Sequence, residues 1–211
     1  MKGLLIKDWL VIWRQCRYIL FVPVLFILIS GIPVNQGSSA FSAFATLILS
    51  MLPVTVLGMD EQSRWDSYAL TMPYTRQELV FSKYLLGFIS STAGFLLTFL
   101  AGILARPTAE SIQQTFTIVL AGFILGMLYI SFAMPLFFKF GVQKGRIWFL
   151  VLIAALGGGI GLFTSILGET ENEYALVASL SKPLYIIAGC TIILFSLSAL
   201  LSIKIYQKRE F

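Results

Sequence analysis

The sequence contains no histidine and only two cysteines, Cys16 and Cys190, among 211 residues. The first absence removes the commonest metal ligand and the side chain best suited to proton transfer near neutral pH. The second leaves neither a disulfide framework nor a zinc site. Charge is scarce as well. Charged residues make up 12% of the chain against 58% hydrophobic, where a soluble domain carries about 25% charge to keep its surface wet. With a mean hydropathy of +0.89, the chain cannot cover a water-facing globule. A soluble enzyme and a nucleic-acid-binding domain are excluded on that ground. The composition is that of an all-α integral membrane protein, and the formal net charge of +5 is better explained by the placement of its bases than by a polyanionic partner.

A helix crosses ~30 Å of hydrocarbon with about 20 apolar residues. Six segments qualify: 18–34, 40–59, 84–105, 115–138, 147–168 and 183–203. Lys2, Lys7, Arg14 and Arg17 precede the first, while Arg64, Arg76 and Lys83 follow the second. Lys139, Lys144 and Arg146 follow the fourth, and Lys204, Lys208 and Arg209 close the chain. Arg106 and Lys182 alone fall on the other side, beside Glu110, Glu169, Glu171 and Glu173. Basic residues are retained on the cytoplasmic side, so both termini are expected inside. The pattern reads as one transmembrane domain over 1–211, with a cytoplasmic loop at 60–83. An outer stretch at 169–182 is long enough for a short helix capping the fifth and sixth spans.

Residues 1–17 form a different membrane element. At 100° per residue, Leu5, Ile6, Trp9, Ile12, Trp13 and Cys16 share one face, opposite Lys7, Asp8, Arg14 and Gln15. Such a helix lies in the interface plane with Trp9 and Trp13 as anchors at headgroup level. A cleaved signal peptide with 18–33 as its apolar core is the competing reading, disfavoured by the tryptophan-bearing amphipathic segment before it.

The spans hold no ionisable residue, which an ion-coupled transporter or pump needs at that depth. No G-x-x-x-x-G-K-[ST] phosphate loop occurs, so energy for uphill transport must arrive through another polypeptide. Intramembrane catalysis has no candidate residues, and the span-embedded serines and threonines read as helix–helix contacts. Pro23, Pro53 and Pro135 fall inside spans, where neighbouring helices satisfy the carbonyls they free. Gly122 with Gly126, and Gly157 and Gly158 with Gly161, are expected to mark close helix packing, with a hinge or pathway wall as the alternative. No metal site is expected.

The longest polar stretch is the informative one. Thr75 with Glu78 three residues on fits a capping box, so a helix is expected from about Arg76 into span three. Pro73 blocks helix upstream. Residues 60–70 are expected to form a separate short helix in which Trp65, Tyr68 and Leu70 offer apolar area amid charge, either docking a protein or lying on the membrane surface. From Asp60 to Tyr84 the order D-E-x-x-x-W-D-x-Y-x-x-x-x-P-x-x-R-x-E-x-V-x-x-K-Y closely resembles the first cytoplasmic loop of ABC-2 type transporter permeases. The nearest branch in character is that of small bacterial permeases exporting amphipathic peptides, such as phenol-soluble modulins.

That resemblance implies a non-catalytic, multi-pass subunit of the bacterial cytoplasmic membrane, moving a hydrophobic or amphipathic peptide cargo. It implies a second permease copy, as homodimer or heterodimer, and a separate ATP-binding subunit that carries the ATP and Mg. This chain itself would hold no cofactor. The loop would be the coupling element, with Asp60, Glu61, Arg64, Trp65, Asp66, Tyr68, Leu70, Pro73, Arg76 and Glu78 as docking residues. Trp65 and Tyr68 would anchor the contact, and the surrounding charges would steer it. A stand-alone scaffold or passive channel is the alternative; uncharged spans suit a scaffold but make a poor ion path.

Overall fold

The computed structural model describes residues 2–15, 17–31, 38–69, 75–105, 109–142, 144, 145, 147 and 173–207. Among these the secondary structure is helical throughout. We number the helices α1 (Lys2–Gln15), α2 (Arg17–Gly31), α3 (Ser38–Ser50), α4 (Leu52–Gln62), α5 (Trp65–Ala69), α6 (Arg76–Ala105), α7 (Ala109–Phe140) and α8 (Glu173–Gln207). Four stretches are long and apolar enough to cross a membrane: Phe41–Gln62, Arg76–Leu104, Thr115–Phe140 and Ile186–Gln207. They correspond to the second, third, fourth and sixth spans read from sequence. The first is represented by α2, of 15 residues. The fifth, 147–168, lies outside the described residues apart from Ile147, and so do Gly157, Gly158 and Gly161.

Several boundaries differ from those expected. The second span is two helices, α3 and α4, separated at Met51. Proline lacks an N–H and its ring clashes with the carbonyl four residues back, so Pro53 cannot continue the ladder toward Leu49. Met51 N–H turns instead to the Ile48 carbonyl at 3.1 Å. By contrast, Pro23 and Pro135 sit inside unbroken helices. α4 also runs on to Gln62, which places Asp60 and Glu61 on the end of the span helix, and the short separate helix begins only at Trp65. The outer stretch 173–182 is the first part of α8, in place of a helix of its own.

α7 is the central helix, packing on α3, α6 and α8. Its glycines explain how closely it approaches α3. A Cβ on Gly122 would stand 2.9 Å from the Ala43 Cα, and one on Gly126 would overlap the Ser50 hydroxyl. Small residues let helix backbones approach where no hydrophobic force separates lipid from protein. Buried hydroxyls join the same helices. Ser91 donates to Ser50 at 3.0 Å and Thr46 meets Thr98 at 3.3 Å. The Tyr84 hydroxyl lies 2.7 Å from both Ser198 and Ser202, and Ser198 donates to the Ser131 carbonyl at 2.6 Å. The apolar core runs from Leu57 and Val80 through Ile130 and Met134 to Phe137 and Tyr206.

Candidate functional site

The ends of α4, α6, α7 and α8 gather at one end of the bundle, with α1 laid against them. α1 is turned otherwise than its polar and apolar residues suggest. Leu4, Asp8 and Ile12, one turn apart, face the bundle and are buried, while Ile6, Trp9, Leu10 and Trp13 are exposed. Both tryptophans expected as interfacial anchors are therefore on the side turned away from the bundle. Asp8, read as part of the water-facing side, is inside.

A carboxylate is stable there because cations meet it. Lys83 of α6 donates to Asp8 at 2.7 Å and to Asp60 of α4 at 2.6 Å. Lys7 donates to the other side of Asp60 at 2.6 Å and lies 3.1 Å from Asp8. Two lysines and two aspartates thus form a neutral cluster joining α1, α4 and α6. Asp8, Asp60 and Lys83 are only 1%, 4% and 6% exposed. Charges leave water at a cost of several kcal/mol each unless pairing and hydrogen bonding offset it. One oxygen, Asp8 Oδ2, has no hydrogen-bond partner among the described residues. The adjoining cavity, walled by Leu57, Leu79, Phe138 and Tyr206, holds about one water molecule. It is far too small for cargo.

The corner from α4 to α5 is built on this cluster. Ser63 N–H bonds the Met59 carbonyl at 3.0 Å and Arg64 N–H the Glu61 carbonyl at 3.2 Å, which closes α4. Arg64 then takes φ 51°, a left-handed backbone that side-chain-bearing residues seldom adopt, and reverses the chain. Lys7 holds both sides of the corner: its ammonium also sits 4.6 Å from the centroid of the Trp65 ring, within cation–π range. Trp65 is half-buried against the core and Ala69 is fully buried, whereas Tyr68 is 65% exposed. Nothing is described of the Asp66 side chain, and Leu70 and Pro73 lie outside the described residues.

The other charged docking candidates are engaged within the chain. Asp60 is interior to the cluster, so it has no solvent-facing charge with which to steer a partner; sequence periodicity could not show that Lys7 and Lys83 converge on it. Glu61 accepts the Val142 N–H at 2.5 Å, just past the end of α7. Gly141 makes that approach possible, with φ 78° and no side chain where a Cβ would strike the Glu61 carboxylate. The capping box forms as its spacing predicts. Glu78 accepts from Thr75 N–H at 2.9 Å and from its hydroxyl at 3.1 Å, while Glu78 N–H donates to Thr75 Oγ1 at 3.3 Å. Arg76 donates to the Gln207 carbonyl at 2.8 Å, pinning the end of α8. Sequence reasoning missed Lys7, Asp8 and Lys83 as parts of this site. The only signal was their position beside helix ends, which many solvated charges share.

Among the described residues no group of histidine, cysteine and carboxylate side chains could hold a metal ion. The arrangement can brace a short helix and present it, and it offers no nucleophile beside a base. A family model described as "ABC-2 family transporter protein" matches residues 3–207. No curated protein matches the chain.

Proposed function

The chain belongs to the ABC-2 family of transporter proteins, and from that premise we propose that a separate ATP-binding subunit drives it through contact with α5. Membership of the family makes it a membrane transport component. The finer reading is a six-span permease with both termini in the cytoplasm of a bacterial cell, working with a second permease copy. Its cargo is hydrophobic or amphipathic, most simply a peptide. The observation that supports docking is the way α5 is mounted. Its inner side is seated by Ala69 and by Trp65 under Lys7, and its outer side offers Tyr68 to the surroundings. A short helix with a rigid back and an exposed aromatic is suited to transmit closure of a partner, because aromatics at interface centres carry much of the binding energy.

The seating divides the two aromatics into different roles. Trp65 braces the helix, and Tyr68 is the anchor that meets the partner. Tyr68→Ala is therefore the clean variant, expected to weaken retention of the ATP-binding subunit by about 30-fold, the equivalent of ~2 kcal/mol. The permease should keep its own thermal stability. Trp65→Ala should lose both retention and some stability. Detergent pull-down of the ATP-binding subunit, with unfolding followed in parallel, reads both. Retention of the subunit at wild-type affinity by the Trp65→Ala/Tyr68→Ala double variant would remove α5 as the docking element. Cargo is tested separately, by which amphipathic peptides stimulate ATP hydrolysis in the reconstituted complex.

A further inference from the structure

At the end of the bundle that carries α5, acids and bases are used differently. Asp8 and Asp60 are neutralised inside the lysine–aspartate cluster. Glu61 is bound to the Val142 N–H and Glu78 to Thr75. These are the described acidic side chains at this end, and each is held by a partner within the chain. The bases Arg14, Arg64, Lys139, Lys144 and Lys204 are exposed. Among the described residues at this end, the exposed charged side chains are these bases, while Glu61 and Glu78 keep their charge but are tied to the chain by hydrogen bonds.

A single hydrogen bond joins the segment that carries Arg64 to the segment that carries Lys139 and Lys144. Glu61 lies three residues before Arg64 and holds Val142, which lies three residues after Lys139 and two before Lys144. The corner at φ 51° and the glycine at φ 78° both shape this junction; glycine adopts its angle freely, whereas the left-handed Arg64 persists only where surrounding contacts enforce it. We propose that Arg64, Lys139 and Lys144 form, with Tyr68, one basic docking surface assembled from two chain segments and latched by Glu61, and that the ATP-binding subunit meets it with an acidic face. The inference rests on the reading that α5 docks that subunit. A structured protein partner is favoured over anionic headgroups by the latch itself: a fluid headgroup layer requires charge but no fixed spacing between charges, whereas register against a folded surface requires both.

Glu61 separates these two accounts. Removing it makes the surface more positive, so simple charge attraction predicts tighter binding, while a latched surface predicts weaker binding. The test measures affinity of the full-length permease, in nanodiscs, for the purified ATP-binding subunit of the same transporter across a range of NaCl. Arg64→Glu with Lys144→Glu should weaken binding at least about tenfold at low ionic strength, with the difference shrinking as salt screens it. Arg64→Lys with Lys144→Arg should bind as wild type does. Glu61→Ala should weaken binding about threefold or more, and thermal unfolding of each variant identifies any that fail to fold. Unchanged affinity in the double reversal, with Tyr68→Ala still weakened, overturns the basic surface and leaves the docking reading standing. Unchanged affinity in both removes the two together. Tighter binding by Glu61→Ala overturns the latch. If wild type and the reversal differ only when phosphatidylglycerol is present, and bind equally in phosphatidylcholine discs, the surface belongs to lipid and the proposal fails.

Discussion

Lys83 and Asp60 meet at 2.6 Å with both side chains buried, and the same ammonium reaches Asp8 of the first helix at 2.7 Å. One lysine on α6 therefore ties α4, the helix that precedes the corner at Arg64, to α1, the helix laid along the end of the bundle. Among the described residues its partners meet one other cation, the half-buried Lys7, which is itself shared between them. This makes the charge count of the cluster more important than any single contact in it.

Removing Lys83 leaves two carboxylates facing one ammonium in a site with little water. Lys83→Met is expected to destabilise the permease by ~3–5 kcal/mol, the usual consequence of stranding a buried charge. Adding Asp8→Asn restores neutrality and should recover a substantial part of the loss. Thermal unfolding in detergent measures both. Equal stability of the single and double variants would mean that packing rather than charge balance was lost.

The glycines of the membrane helices offer a contrast within one chain. Gly126 faces the Ser50 side chain with no room for a Cβ, whereas a Cβ on Gly189 would meet nothing within 4 Å. Gly126→Leu should abolish close packing of α7 on α3 and sharply lower folded yield. Gly189→Ala should be neutral or stabilising by up to ~1 kcal/mol, since alanine loses less freedom in a helix. Detergent-solubilised yield and unfolding temperature report the difference, and a well-folded Gly126→Leu protein would contradict the α3–α7 contact.

Orientation is read from the distribution of bases and has its own test. In a background lacking Cys16 and Cys190, a cysteine replacing Glu171 should react with an impermeant thiol reagent added to intact cells. Cysteines replacing Lys2 or Lys208 should react only after the membrane is opened. The reverse pattern would invert the proposed topology.

How far each feature could be read from the chain depends on the range of the interaction that makes it. Helices were legible because, in hydrocarbon, every backbone N–H and C=O must be satisfied within its own segment, so a long apolar run leaves few alternatives. The start of α6 was legible because Thr75 and Glu78 satisfy each other across three residues. The packing role of Gly122 and Gly126 followed from spacing, although the identity of the neighbour, α3, did not. The break at Met51 was only half legible: Pro53 announced a disturbance, and the surrounding helices decided that it would divide the span.

The charges were a different matter. A helical projection of residues 1–17 separates polar from apolar positions, but it cannot tell a polar residue turned to water from one turned to a buried partner. Asp8 finds Lys83 75 positions away, and Lys7 finds Asp60 across 53. Those encounters exist only once α1, α4 and α6 are packed. By itself, then, the sequence determined that the chain is helical, apolar and membrane-embedded, and where its longest polar stretch lies, because burial of apolar surface and local hydrogen bonding act over short distances along the chain. Only the tertiary structure decided which charges face the outside, because ion pairs between distant helices depend on packing geometry that no local pattern encodes.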